Sequence, residues 1–283
     1  HGRLLKWLTG TARWKRRGGA DFVFIVNDPH QWTQPLGSPV SLTRRQAANT
    51  WVDTTADVVS RAVLLSAEDC RPAASQNLAI PPIFVPYFIN RRLWKGSSNQ
   101  SHHFRPHLLG FVGSRWVHSQ ACPLLYNPRP ESASLRSKIL EGLRSECEPG
   151  ECLVKVLDGE GPFSIDRNNA STLVDLTRAA REAVFCPIPR GDTATTKRFF
   201  AAIVAGCVPI VISDNSPLPF EDRLRILYAA AVIRIPEAVF MVPSFSLVKF
   251  SRELNTQPQV IKEMRRALVK LKELELYPEW TCI

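Results

Sequence analysis

The chain has 283 residues, 45% of them hydrophobic and 22% charged, which excludes a disordered polyelectrolyte and leaves room for two domains. Lysine plus arginine number 36 against 26 acidic residues, so a formal charge of +10 favours anionic partners. The basic residues are scattered without an RNA-binding signature or zinc-finger spacing, which argues against nucleic acid, and no run of about 18 apolar residues reads as a membrane span.

In chain order, Gly2 to Leu8 reads as the end of a helix, and Trp14 to Asp21 as a basic turn leading into an apolar strand, Phe22 to Val26. Helical spacing resumes from Arg44 to Val52, and Asp57 to Val59 with Ala62 to Leu65 gives another short buried strand. The polar, basic stretch Asn90 to Arg105 reads as a linker. Beyond it come a strand at Leu108 to Val112, an amphipathic helix at Ser134 to Arg144, a strand at Leu153 to Leu157 and a helix at Ser171 to Arg181. A continuous apolar run from Ala183 to Ile188 then precedes a helix with Phe199, Phe200, Ile203 and Val204 on one side. Gly206 stops that helix before a β-branched run, Val208 to Ile212. A strand at Ala230 to Ile235 and helices at Ser244 to Leu254 and Gln259 to Leu276 close the pattern. This alternation predicts an α/β, doubly wound, Rossmann-like lobe over residues 106–276, after a first lobe over 1–100.

The turn between the run at Ala183 and its helix is where chemistry is expected. Unpaired amides and the peptide dipoles make a helix N-terminus a place for an anion. Asp192 or Thr193 can cap the helix, Thr195 and Thr196 offer hydroxyls in its first turn, and Arg190, Lys197 and Arg198 surround it with positive charge. The spacing admits two readings, a phosphate site or an ordinary cap beside a solvated basic face.

Seven cysteines are too few and too dispersed for a small disulfide scaffold. Cys186 and Cys207 lie in apolar runs and read as buried thiols, whereas Cys147 and Cys152 flank a turn that can bring them together, with or without a bridge. Asn99-Gln100-Ser101 and Asn169-Ala170-Ser171 are glycosylation sequons that fit a secretory lumen. His102, His103 and His107 match no helix-based zinc spacing, so no metal site is expected.

The stretch from Phe185 to Asp222 resembles the exostosin glycosyltransferases, glycosyltransferase family 47. The match runs through Phe185-Cys186, Pro189, Gly191-Asp192-Thr193, Arg198, Ala202-Ile203, Gly206-Cys207, Pro209, Asp214 and Leu218-Pro219-Phe220-Glu221-Asp222, with Thr196 where the family often has serine. Gly113-Ser114-Arg115 resembles the family's F-x-G-x-R turn, and Leu78 to Pro82 its D-V-x-I-P-P element without the acidic residue. Phe22 to Asp28 is similar to an element that ends in a His-Asp pair, here Asn27-Asp28.

The resemblance implies a GT-B arrangement of two Rossmann-like lobes, with an incomplete acceptor-side lobe in 1–100 and a nucleotide-sugar lobe in 106–276. It implies an inverting transfer from a UDP-sugar to a polysaccharide or glycoprotein glycan. Arg115, Arg190, Gly191, Asp192, Thr193, Thr195, Thr196, Arg198, Asp214 and Asp222 would hold the substrate. Glu221 would take the ribose or donor sugar, and Asp28 would be the general base, although Asp28 can equally form a turn with Pro29. Trp32, Trp51 and Trp116 are either sugar-stacking or core residues. No Asp-x-Asp motif occurs, so protein charge rather than a divalent metal is expected to stabilise the leaving group, and no cofactor is required.

Family resemblance also places the protein in the Golgi lumen as a type II membrane protein, anchored by a segment outside this chain, alone or associated with another copy or a related chain. A non-catalytic partner subunit binding nucleotide sugar or acidic glycan is the alternative. A dehydrogenase is disfavoured because no Gly-x-Gly-x-x-Gly follows a strand.

Overall fold

The computed structural model describes residues 7–26, 63–66, 83–84, 104–113, 131–156, 170–190, 196–214, 216 and 218–272. Its chain divides into two compact units, one containing residues 1–87, 119–129 and 217–220 and the other the remainder.

In the first unit, helix α1 (Ala12–Arg17) opens with Thr11, whose hydroxyl accepts from the Trp14 amide at 3.2 Å, and closes on Gly18 at φ 58°. The buried Trp14 indole lies 5.0 Å from the Phe22 ring and so pins this helix to the start of strand β1 (Val23–Val26). Strands β1, β2 (Val63–Ser66) and β3 (Ile83–Phe84) form a parallel sheet in that order, Val23 facing Val63 and Leu65 facing Ile83.

The second unit is a five-stranded parallel sheet. Its strands are β4 (His107–Gly113), β5 (Cys152–Val156), β6 (Ala183–Pro189), β7 (Val208–Ile212) and β8 (Ile233–Arg234), arranged β5-β4-β6-β7-β8. Helix α2 (Glu131–Glu146) joins β4 to β5, α3 (Ala170–Glu182) joins β5 to β6, α4 (Lys197–Ala205) joins β6 to β7, and α5 (Glu221–Ala231) joins β7 to β8. Short α6 (Glu237–Phe240), then α7 (Leu247–Asn255) and α8 (Pro258–Lys270), complete the fold. Right-handed crossovers that run in opposite directions along the sheet, β4 to β5 and then β5 to β6, put helices on opposite faces. Accordingly α7 packs on α2, while α3 packs on α4 and α8 on α4 and α5.

Burial on both faces explains the unbroken apolar runs, since every residue of β6 and β7 is buried. Leu109, Phe111, Phe185, Phe200, Ile203, Ile210 and Ile212 form the centre of this core. Gly110 lets α3 approach β4, for a Cβ there would meet the Ala179 carbonyl oxygen at 2.6 Å.

Three expectations change here. Trp14 to Arg17, read as part of a basic turn, is helical in α1, and only Gly18 to Asp21 turns. The strand read at Ala230 to Ile235 shrinks to Ile233–Arg234, because α5 continues through the helix-favouring run Ala229-Ala230-Ala231. Cys186 and Cys207 are a disulfide rather than thiols, with Cα atoms 5.9 Å apart. Cys186 is in register with Pro209, so Cys207, two residues before Pro209, projects on the same face of the sheet. Cys147 and Cys152 are also bridged, and Glu151 within their turn receives two hydrogen bonds from Arg252 of α7 at 2.8 and 2.6 Å. Those bonds hold the Glu151 carboxyl below its ordinary value.

Arg105 does structural work that composition conceals. Buried between α3 and α4, it donates to the carbonyls of Ala180 at 2.8 Å, Ala183 at 2.6 Å and Ala205. Burial, aided by Arg265, pushes its pKa down to about 9, so it stays charged at neutral pH.

Candidate functional site

In an open parallel sheet, ligands settle beyond the carboxyl ends of the strands, where the strand order reverses. Here that point lies between β4 and β6, because the chain leaves β4 toward β5 on one side and β6 toward β7 on the other. Gly113 ends β4, and Pro189-Arg190 ends β6.

Arg198, in the first turn of α4, reaches this crevice. The helix begins at Lys197, later than the motif suggested, so the capping expected of Asp192 or Thr193 falls to Thr196, whose hydroxyl accepts from the Arg198 amide at 3.3 Å. The Arg198 guanidinium carbon lies 5.0 Å from the Phe111 ring centroid, a cation–π contact, and the group lies across Gly113 at the strand end.

Arg190 takes the other direction. Its amide donates to the Ile212 carbonyl at 3.1 Å, and its buried side chain pairs with Glu237, Nε to Oε1 at 3.1 Å. Asp214, just past β7, accepts at Oδ1 from the Glu237 amide at 2.8 Å. Arg190, Asp214 and Glu237 therefore tie the ends of β6 and β7 to the start of α6. The two arginines thus lie on opposite sides of the end of β6, Arg198 toward β4 and Arg190 toward β7 and β8. Arg190 is paired with Glu237 at the start of α6, and Arg198 rests on β4.

Arg136 and Glu237 are rim residues that the sequence reading did not single out. Arg136, buried on α2, donates from Nη2 to the Arg190 carbonyl at 3.4 Å. The signal was available, for Arg136 shares its helix face with Ile139, Leu140 and Leu143, where a charged residue is out of place unless it has a task.

Glu221 and Asp222 occupy the first turn of α5, and there they favour the helix dipole. Glu221 accepts from Arg234 of β8 at 2.7 Å, while Asp222 is exposed. Burial, and then Glu221, push the phenol of Tyr228 well above its usual range. Phe220, immediately before Glu221, holds φ 53°, a left-handed conformation that costs a non-glycine residue roughly 1 to 2 kcal/mol.

Asp28, Arg115, Gly191, Asp192, Thr193 and Thr195 lie outside the described residues. So do the helix read at Arg44 to Val52, both sequon asparagines, His102, His103, Trp32, Trp51 and Trp116. His107 supports the backbone, its Nδ1 lying 2.7 Å from the Gly150 carbonyl oxygen. Among the described residues the one grouping with metal-ligand chemistry is Cys147, Glu151 and Cys152, whose sulfurs are joined to each other. No helix among them is long and apolar enough to cross a membrane.

A parallel sheet with an arginine at its switch point is common to many nucleotide-binding folds, and comparison with known proteins decides between them. The Exostosin GT47 domain matches residues 2–249. This chain belongs to the exostosin GT47 family. The chain is 27% identical over 254 residues to probable arabinosyltransferase ARAD1 of Arabidopsis thaliana, covering 90% of the chain and 46% of that protein. It is 27% identical over 176 residues to exostosin-1 of Drosophila melanogaster, covering 58% and 21% respectively. It is 22% identical over 225 residues to probable xyloglucan galactosyltransferase GT12 of Arabidopsis thaliana, covering 76% and 36%. The chain therefore spans less than half the length of these relatives.

Proposed function

We propose that this chain belongs to an inverting glycosyltransferase of GT-B architecture, which moves a sugar from a UDP donor to a polysaccharide or glycoprotein glycan. The observation that carries the reading is Arg198, seated at the β4–β6 switch point of a parallel sheet within an exostosin domain. Relatives named as arabinosyl- and galactosyltransferases support the reaction class.

In this reading the donor diphosphate sits beyond β4 and β6. Arg198 faces its developing negative charge, Thr196 and the turn containing Gly191, Asp192, Thr193 and Thr195 surround it, and Arg115 follows β4. Arg190 and Asp214 hold the rim through Glu237, while Glu221 or Asp222 takes the ribose or donor-sugar hydroxyls. The acceptor hydroxyl attacks the anomeric carbon as the bond to the diphosphate breaks; its proton passes to Asp28 and UDP departs. Charge stabilisation of that departing group by fixed donors is commonly worth several kcal/mol. Protein charge alone fills this role, without a metal. The protein works in the Golgi lumen, held by an anchor outside this chain, alone or in an oligomer.

A non-catalytic partner subunit is the second reading, and Asn27 in place of the family's histidine favours it. A donor panel of UDP-arabinose, UDP-galactose, UDP-xylose and UDP-glucuronic acid, assayed for sugar transfer and for hydrolysis, separates the two. Turnover of one donor that falls with Arg198→Ala supports the enzyme. UDP binding without turnover of any donor supports the partner.

A further inference from the structure

Gly113 does not owe its place to backbone freedom. The described glycines at positive φ are Gly18, Gly19, Gly150 and Gly206, and Gly113 is not among them. A side chain there would have to displace Arg198, because an added Cβ would lie 2.5 Å from Nη2, 2.8 Å from Cζ and 3.0 Å from Nη1 of its guanidinium. All three distances are to the guanidinium, so the group lies over the bare Cα.

Phe111 stands two residues earlier on β4, hence on the same face of the strand. Its ring is 1% exposed and fixed in the core, and the same guanidinium stacks 5.0 Å from its centroid. A long arginine side chain left in solvent samples many rotamers, and a ligand must then order it. Here the order exists in advance.

We propose that Gly113 and Phe111 are positioning residues that form a seat for Arg198, fixing its guanidinium at the β4–β6 crevice where a diphosphate binds. This rests on the function proposed above, and it adds the reason why β4 must end in a residue without a side chain. An alanine at 113 pushes the guanidinium off the strand end without disturbing the backbone. Loss of the ring removes the face that holds it.

The test is a double-mutant cycle on the whole chain, read by UDP calorimetry and by melting temperature. Arg198→Ala is expected to weaken UDP binding roughly ten- to a hundredfold, as loss of a charge-assisted contact does. Gly113→Ala and Phe111→Leu should each weaken it several-fold to roughly tenfold when Arg198 is present. Introduced into Arg198→Ala, neither should weaken it further, because the seat is then empty. Phe111→Leu keeps the cycle readable if Gly113→Ala does not fold. Wild-type affinity in Gly113→Ala and Phe111→Leu, with weakened binding in Arg198→Ala, overturns the seat and leaves the proposed function standing. Equal losses with and without Arg198 overturn it as well, since they assign Gly113 and Phe111 a role independent of that side chain. Wild-type affinity in Arg198→Ala overturns both the seat and the assignment of the diphosphate to this crevice.

Discussion

Replacing Arg105 by methionine removes three hydrogen bonds from a charged donor while keeping a flexible apolar stem of similar length. The carbonyls of Ala180, Ala183 and Ala205 lose a buried partner. Hydrogen bonds to charged groups contribute roughly 1.5 to 3 kcal/mol each. The lower figure applies, because burial already opposes the charge and drags the pKa down to about 9. Three bonds then amount to about 4.5 kcal/mol. For a unit of this size that corresponds to a melting temperature lower by roughly 10 °C. Arg105→Lys keeps the charge but replaces the planar fork by a point donor on a shorter reach, so it should fall between the two. Thermal unfolding followed by circular dichroism at neutral pH measures all three proteins. Methionine melting within about 2 °C of the parent would refute the clamp, as would lysine proving worse than methionine.

Three further predictions follow from local geometry. A non-reducing peptide map should recover Cys186 linked to Cys207, and changing both to alanine should cost roughly 3 kcal/mol for a loop of this length; free thiols at both positions would contradict the structure. Glu151 is held below the ordinary carboxyl pKa near 4.5, so its contribution is present above that value and is lost as pH falls through the lower folded-state value. Glu151→Gln should therefore reduce stability at neutral pH and converge with the parent in strong acid, whereas a gap constant with pH would speak against the Arg252 pair. Thr196→Ala should cost about 1 kcal/mol in urea unfolding as the helix loses its cap, and a loss below roughly 0.3 kcal/mol would place the cap elsewhere.

Much of the second unit was legible in the sequence because its signals are strong and local. Unbroken apolar runs at Ala183 and Val208 mark strands buried on both faces, and Gly206 stops α4 at φ 71° as its position suggested. The Ala230 to Ile235 strand misled because apolar character cannot tell a helix end from a strand start, and helix propensity decided it. The Cys186–Cys207 bridge depends on which strands are neighbours and in what register, information that spacing along the chain does not carry.

At the site, the motif identified Arg190, Arg198 and Asp214 as a group, yet the pairing of Arg190 with Glu237 depends on α6, which follows β8 and lies outside the motif. Arg136 was hidden for the opposite reason, since it sits in a helix where attention goes to the apolar face and not to the charge within it. Gly113 looked like a turn residue because glycine usually supplies conformation. Its reason is room for a guanidinium.

A crystal structure of the chain with UDP would show where the diphosphate binds. Diphosphate oxygens are expected beyond β4 and β6, within about 3 Å of the Arg198 guanidinium, with that group still resting on Phe111 and Gly113. UDP bound elsewhere, with Arg198 out of its reach and the crevice occupied by solvent, would contradict that expectation.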